Sequence, residues 1–530
     1  MAWALAPSVA IRHESHFGDR VIRCFADRPA HTYDIFARSL AAYPQNEALV
    51  AGDRRLSYAA LDAEAGRVAA GLAAAGVGAG MRVGMLLGNR IAFVTVLLAT
   101  LRLGAIAVPL GTRLQTPEIA YILDHAGAVV LVHEAGLTDR LPAAEAVPKL
   151  RHRFAVGEGV SDSRPFADLT GEGTAPAPAM PDEEETAVIL YTSGTTGRPK
   201  GAMLSHLNIV HSALHFQHCM GLGPEDRSLL AVPASHVTGL VAIIVAAWQG
   251  GGAIVMMPEF KTRDFLQLAA RERLTHTIMV PAMYNLCLLQ PDFGSFDLSA
   301  WRVGGYGGAP MPQATIAGLA ERLPQLQLMN AYGATETTSP TTIMPAAFTA
   351  SHSDSVGLVV PCGEVIAVDA GGREVPAGET GELWIRGPMV VRGYWDNPEA
   401  TAQSFTAGFW HSGDIGSVDG DGFVRVFDRV KDMINRGGYK IFSVEVENVL
   451  GYHPGVLESA IVGRACPVLG ERVHAFVART RPDLGEAELR EFCAGRLADY
   501  KIPESFTLTD APLPRNANGK LLKRVLRDSL

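Results

Sequence analysis

Over two long stretches this chain alternates short, almost wholly apolar runs with helix-length segments, and that alternation restricts its fold more than any other feature. In the first stretch, residues 30–180, RVGMLLG (82–88) and AVVLVH (128–133) read as strands, whereas residues 56–77 and 91–105 read as helices. In the second, LLAVPA (229–234), AIVMM (253–257) and THTIMV (275–280) repeat the strand texture after Gly201. A strand that is apolar on both faces must be covered on both faces, which calls for parallel sheet sandwiched by helices. The expected class is therefore α/β.

Residues 228–258 contain no Asp, Glu, Lys or Arg and are long enough to cross a bilayer. Pro233, Ser235, His236, Gln249 and the run Gly250, Gly251, Gly252 cut them into strand, helix and strand lengths, so a buried core is expected and a stable membrane span is not. The formal net charge of -9 argues against nucleic acid, which is held by clustered Lys and Arg. Six cysteines lie far apart with no CxxC, which suggests neither a disulfide framework nor a structural zinc site and fits a reducing cytoplasm. No basic residue precedes the short apolar run at the N-terminus, so no secretory signal is expected.

The texture changes along the chain. Residues 171–185, GEGTAPAPAMPDEEE, read as a surface linker. Beyond about residue 355, short strands and Gly turns favour a small antiparallel or barrel-like unit. After Val430 the pattern becomes a compact α+β unit of domain size.

Residues 191–201 read YTSGTTGRPKG, directly after the apolar AVIL. Glycines let backbone N–H groups turn inward, the hydroxyls can donate to phosphoryl oxygens, and Lys200 can neutralise charge. The spacing is not that of a Walker loop, and composition alone is equally that of a surface turn.

Six further segments follow in order: VGGYGGAP (303–310), NAYGATETT (330–338), residues 381–405 with GYWDNPEAT, GFWHSGDIG (408–416), DRVKDMINRGGYKIFSVEVE (428–447) and RNANGKLLKR (515–524). Together with the loop they closely resemble the adenylate-forming superfamily of acyl-CoA synthetases, adenylation domains and luciferases, in its acyl-CoA ligase branch. The resemblance implies a large N-terminal domain (1–430) of stacked α/β subdomains plus the small β-barrel-like unit, and a mobile α+β C-terminal lid (431–530). It implies ATP, Mg2+ and coenzyme A as cofactors, and a small carboxylic acid as partner. It is also compatible with a homodimer.

Residue by residue, the resemblance assigns Thr192, Ser193, Gly194, Thr195, Thr196, Gly197 and Lys200 to the pyrophosphate portion of ATP. Gly308, Ala309 and Pro310 would pack beside adenine. Tyr332, within Asn330, Ala331, Tyr332 and Gly333, would stack on it. Thr335 would contact the α-phosphate and Glu336 would hold the magnesium ion, a hard cation that suits a carboxylate oxygen. Without the family, Glu336 reads equally as a helix-capping acid. Asp414 and Arg429 would take the ribose hydroxyls. Lys431 is the hinge position. Arg436, Gly437, Gly438 and Tyr439 match the loop that lines the thiol tunnel after the lid rotates, and Lys440 stands in the position of a family lysine that contacts the nucleotide or intermediate. Lys520 is the lysine that enters the site for adenylation. Ser443 stands where the motif commonly has proline.

His236 matches the position bordering the acyl pocket and gating thiol entry. No Asp stands there for a substrate ammonium, and residues 235–240, 303–310 and 330–340 contain no Lys or Arg for a second carboxylate. Gly304, Gly305 and Gly307 beside Tyr306 read as absent bulk, leaving room for an uncharged fatty, branched, alicyclic or aromatic monocarboxylate. The expected activity is an AMP-forming carboxylate–CoA ligase. The alternative is an acyl-AMP ligase that loads a separate carrier protein.

Overall fold

The structure is a computed structural model that describes every residue except 159, 161, 172, 193–197, 310 and 516–520. It divides into two compact units. The first comprises Met1–Val365, Ile385–His411 and Asp421–Phe423, and the second Ile366–Trp384, Ser412–Gly420 and Val424–Leu530.

Two sheets organise the first unit. One has strand order Lys200–Ser205, Thr186–Thr192, Ile106–Pro109, Arg82–Leu86, Ala128–Glu134, His152–Val156, Arg164–Pro165, parallel except for the hairpin of its first two strands. The other runs in parallel through Gln327–Tyr332, Val303–Tyr306, His276–Met279, Arg227–Leu230, Ala253–Met256 and Glu47–Ala51. The apolar runs read from sequence are thus its strands. The helix Ile91–Arg102 is buried at every position from Ala92 to Leu101, as a helix apolar all round must be.

The uncharged stretch 228–258 resolves into strand, helix and strand. Its helix begins with wide turns over Thr238–Val245 and tightens over Ala246–Gly250. Such widened turns recur at functional sites. Among the described residues no helix is long and apolar enough to cross a membrane. Helix His206–Met220 starts where Ser205 and Asn208 cap one another and stops where Gly221 turns left-handed at φ 61°.

The segment read as a linker is irregular but pinned. The Ala179 amide donates to the Arg102 carbonyl at 2.8 Å, Arg102 Nε donates to the Pro176 carbonyl at 2.8 Å, and Glu183 pairs with Arg28 at 2.9 Å. Arg28 also holds Glu14 at 2.6 Å, and its hydrogen bonds keep that carboxyl at about 2 in spite of burial. A carboxylate depressed in the fold stabilises above its unfolded value, and that contribution disappears as pH falls from about 4.5 through about 2. Arg28→Met should therefore cost roughly 1–3 kcal/mol at pH 7. It should also flatten the acid limb of a plot of unfolding midpoint against pH; an unchanged limb would refute the pairing.

The strands Phe409–Val418 and Phe423–Arg429 form an antiparallel ladder whose second-unit part places Asp414 opposite Arg429. A second sheet centres on Gly470–Arg479, antiparallel to Val456–Cys466 and parallel to Ser505–Thr509, with the hairpin Ile434–Arg436 and Tyr439–Ile441 at one end. Ile441, Val446, Leu450, Ile461, Val477 and Leu489 fill its core. The architecture is mixed α/β with a large N-terminal and a small C-terminal part, as read from sequence.

Candidate active site

The mouth of the glycine- and hydroxyl-rich loop is closed by strand pairing: Thr192 lies opposite Lys200 and Tyr191 opposite Gly201. Thr192 Oγ1 donates to the Lys200 carbonyl at 3.4 Å. Ser193, Gly194, Thr195, Thr196 and Gly197 lie outside the described residues. Gly201 is required by close approach, since a Cβ there would sit 2.7 Å from Ile189 and 3.1 Å from the Tyr191 ring. Tyr191 in turn reaches His125 at 2.8 Å, which ties down the base of the loop.

Residues 391–395 bring the loop base and the Glu336 turn together. The Trp395 amide donates to the Gly201 carbonyl at 2.7 Å, the Met203 amide to the Gly393 carbonyl at 3.1 Å, and the Val391 amide to the Glu336 carbonyl at 2.9 Å. Between these bonds the Tyr394 hydroxyl donates to Glu336 Oε1 at 2.9 Å, and Lys200 Nζ lies 5.0 Å from the Tyr394 ring centre. Burial, reinforced by the Glu336 carboxylate, pushes the Tyr394 phenol well above its ordinary value, so it remains a donor.

Tyr332 ends the strand Gln327–Tyr332, and its carbonyl accepts from Thr341 at 2.8 Å. Gly333 and Ala334 lead into the single turn Thr335–Thr337. A Cβ at Gly333 would stand 3.2 Å from Pro340 Cα, Thr337 Oγ1 and the Thr341 amide, so any side chain there would push these neighbours back by a few tenths of an ångström. Thr338 and Ser339 follow with φ of 51° and 39°, left-handed values that are uncommon outside glycine and cluster at functional sites. Asn330 is 9% exposed and hydrogen-bonds Tyr306, its register partner on the next strand. These residues follow the carboxyl ends of parallel strands, where open α/β sheets bind ligands.

Gly308 and Ala309 are exposed, and Pro310 lies outside the described residues. The neighbouring glycines, read as absent bulk, stand close to other parts of the chain. A Cβ at Gly304 would meet the Tyr284 hydroxyl at 3.0 Å, one at Gly305 would meet Ile278 at 2.7 Å, and one at Gly307 would collide with the Ala331 carbonyl. Their missing side chains leave room for the helix residue Tyr284 and for the strand neighbours Ile278 and Ala331, and Tyr306 is itself buried. His236 is partly buried; its amide donates to the Pro233 carbonyl at 3.1 Å and its carbonyl accepts from Leu240 at 2.8 Å.

In the second unit Arg429 Nε pairs with Asp414 Oδ1 at 2.7 Å, and Arg429 Nη1 donates to the Ser412 carbonyl at 3.2 Å. Asp414 is 4% exposed, and this pairing meets the need of a buried carboxylate for a partner. Lys431 is exposed, with its carbonyl held by Arg527 at 3.3 Å. Arg436 pairs with Glu504 at 2.7 Å, and Tyr439 stacks on Tyr500 with ring centres 4.6 Å apart. Between them Gly437 and Gly438 take φ of 58° and 91°. Lys440 is exposed, and Lys520 lies outside the described residues.

The sequence profile of the AMP-binding enzyme family matches residues 36–395, and that of the AMP-binding enzyme C-terminal domain matches residues 445–520. The chain belongs to the AMP-binding enzyme family. It is 36% identical over 485 residues to the feruloyl-CoA synthase of Amycolatopsis sp, covering 91% of this chain and 96% of that one. It is 33% identical over 480 residues to the long-chain-fatty-acid–CoA ligase FadD13 of Mycobacterium tuberculosis, covering 90% and 93%. The crystal structure of the anthranilate CoA ligase AuaEII in complex with anthranoyl-AMP superposes with a TM-score of 0.86 at 27% identity, covering 95% of this chain and 98% of that one. These similarities place this AMP-binding enzyme in the acyl-CoA ligase branch.

Two features of this AMP-binding enzyme escape sequence reasoning. Tyr394 lies within a quoted motif, yet nothing in GYWDN says that its hydroxyl reaches Glu336, 58 residues earlier. Ser443, read only as a departure from proline, donates its amide to Asp428 Oδ2 and receives Lys523 Nζ on its hydroxyl at 2.6 Å. Proline has neither an N–H nor a hydroxyl to make these bonds.

Proposed function

We propose that this chain is an ATP-dependent carboxylate–CoA ligase acting on a monocarboxylic acid with an uncharged tail. A carboxylate oxygen attacks the α-phosphorus of ATP, the bond to the bridging oxygen breaks, and pyrophosphate leaves. The CoA sulfur then attacks the acyl carbon, its proton passes to solvent, and AMP departs with the electron pair of the acyl–oxygen bond.

The observation that carries this reading is the Lys200–Tyr394–Glu336 arrangement, which sets a cation and an oriented carboxylate at the base of the phosphate loop. A carboxylate oxygen fits a hard cation such as magnesium, so Glu336 would hold the ion, and Thr335 would contact the α-phosphate. The ion would supply neutralisation of phosphate charge. Thr192, Ser193, Gly194, Thr195, Thr196, Gly197 and Lys200 hold the departing pyrophosphate. Tyr332 with Gly308, Ala309 and Pro310 takes adenine, and Asp414 with Arg429 takes ribose. Lys520 stabilises charge growing on the α-phosphoryl group while two anions approach each other. Lys431 then serves as hinge, the loop Arg436 to Tyr439 enters for thiol transfer, with its glycines allowing close backbone approach, and Lys440 contacts the nucleotide or intermediate. The functional boundary is thus placed between residues 430 and 431. A cytoplasmic setting and a homodimer complete the proposal.

Tyr394→Phe keeps the ring beneath Lys200 and removes the hydroxyl that bonds Glu336 and also meets Ser404 and Trp410. It should lower acid-dependent pyrophosphate release about tenfold, the worth of one hydrogen bond to a charged group. It should also raise the Mg2+ concentration needed for half-maximal rate; an unchanged Mg2+ requirement would remove Tyr394 from this role. The two products of thiol transfer are separated by a second assay: AMP release that follows added CoA supports the CoA ligase. Release with a carrier protein but not with CoA would favour the carrier-loading alternative.

A further inference from the structure

Asn89 belongs to none of the motifs above, yet one side chain links the two sheets of the first unit. It follows the strand Arg82–Leu86 of one sheet and is 7% exposed. Its Nδ2 donates to the carbonyls of Leu230 at 3.3 Å, Val232 at 3.0 Å and Met257 at 2.9 Å, and its Oδ1 accepts from the Ala234 amide at 2.8 Å. Leu230 ends one strand of the other sheet, and Met257 immediately follows its neighbour.

Val232 and Ala234 flank Pro233, whose own carbonyl accepts from His236. The return of the chain is tight, because a Cβ at Gly239 would collide with the Pro233 carbonyl. Residues 232–236 are therefore held on one side by Asn89 and on the other by the widened helix beginning at Thr238. We infer that Asn89 is a positioning residue for the acyl pocket: its amide fixes the segment that places His236. This inference rests on the proposed role of His236 at the acyl pocket.

Only a side chain with both an amide donor and an acceptor can serve. Asp would set a carboxylate against three carbonyls, and apolar residues would leave the carbonyls and the Ala234 amide without their partner. Asn89 also forms part of the wall of a cavity of about 640 Å³ that includes Arg90, Ile91, Thr95, Met256 and Pro258. Shortening it to alanine would give water in that cavity access to the Ala234 amide.

The test combines hydrogen exchange with steady-state kinetics on full-length Asn89→Ala; should that variant not fold, Asn89→Ser, which keeps one donor, is read in the same way. Amides of residues 232–240 should exchange about tenfold faster, while those of the strand Val303–Tyr306 keep their protection. The KM for the acid should rise about tenfold with the KM for ATP within about twofold, the effect of losing one well-placed hydrogen-bonding group. Unchanged exchange in residues 232–240, an equal rise in both KM values, or a fall in kcat alone would overturn the inference. A wild-type protein that activates no acid defeats the ligase reading instead. Local exchange then decides by itself whether Asn89 holds the segment, acceleration supporting the inference and its absence overturning it.

Discussion

Lys520→Ala should lower acyl-AMP formation by on the order of a thousandfold or more, the scale of removing a group that stabilises developing charge. The same protein should convert supplied acyl-AMP and CoA to thioester at a rate within about threefold of wild type, since the proposed thiol-transfer loop, Arg436 to Tyr439, does not include Lys520. The flanks of residues 516–520 are well anchored. Arg515 bridges Leu521, the Leu522 amide donates to the Pro514 carbonyl at 2.9 Å, and Arg515 pairs with Glu458. Leu513, Leu521 and Leu526 pack with Val462 and Phe476. Since these anchoring contacts do not involve Lys520, its removal should leave stability untouched. Equal loss of both half-reactions would remove Lys520 from this role.

Glu336→Gln should reduce kcat/KM for ATP by about a hundredfold or more in the adenylation step, with little effect on thioester formation from supplied acyl-AMP. The substitution is close to isosteric, and the Tyr394 hydroxyl can still donate to the amide oxygen, so the side chain keeps its place and loses only charge. Raising Mg2+ should partly restore Glu336→Gln and leave Lys520→Ala unaffected, which separates the two roles. A change of less than about threefold in Glu336→Gln would mean that the carboxylate serves the turn rather than the metal, as a helix-capping acid does.

The apolar runs were legible as strands because burial on both faces leaves a strong trace in sequence: AVVLVH became Ala128–Glu134 and AIVMM became Ala253–Met256. The site motifs were legible for a different reason, since their order along the chain carries the information and each alone reads as an ordinary turn. What stayed hidden depends on contacts distant in sequence. Asn89 reaches three carbonyls between 141 and 168 residues away, and no local pattern marks an asparagine that does so. At Gly304 and Gly305 the sequence reveals a missing side chain without revealing what stands against it, here Tyr284, Leu326 and Ile278. Ser443 looked like a lapse from proline until its amide was found on Asp428 and its hydroxyl on Lys523.

The central claim is that this chain joins a carboxylate to AMP before any thiol takes part. Exchange of labelled pyrophosphate into ATP, measured across a panel of fatty, branched, alicyclic, aromatic and dicarboxylic acids without CoA, tests it most directly. Exchange should require Mg2+ and an uncharged-tail monocarboxylate, be at least about tenfold weaker with dicarboxylates, and vanish in Lys520→Ala. No exchange with any acid of the panel, or cleavage of ATP to ADP and phosphate instead, would contradict it.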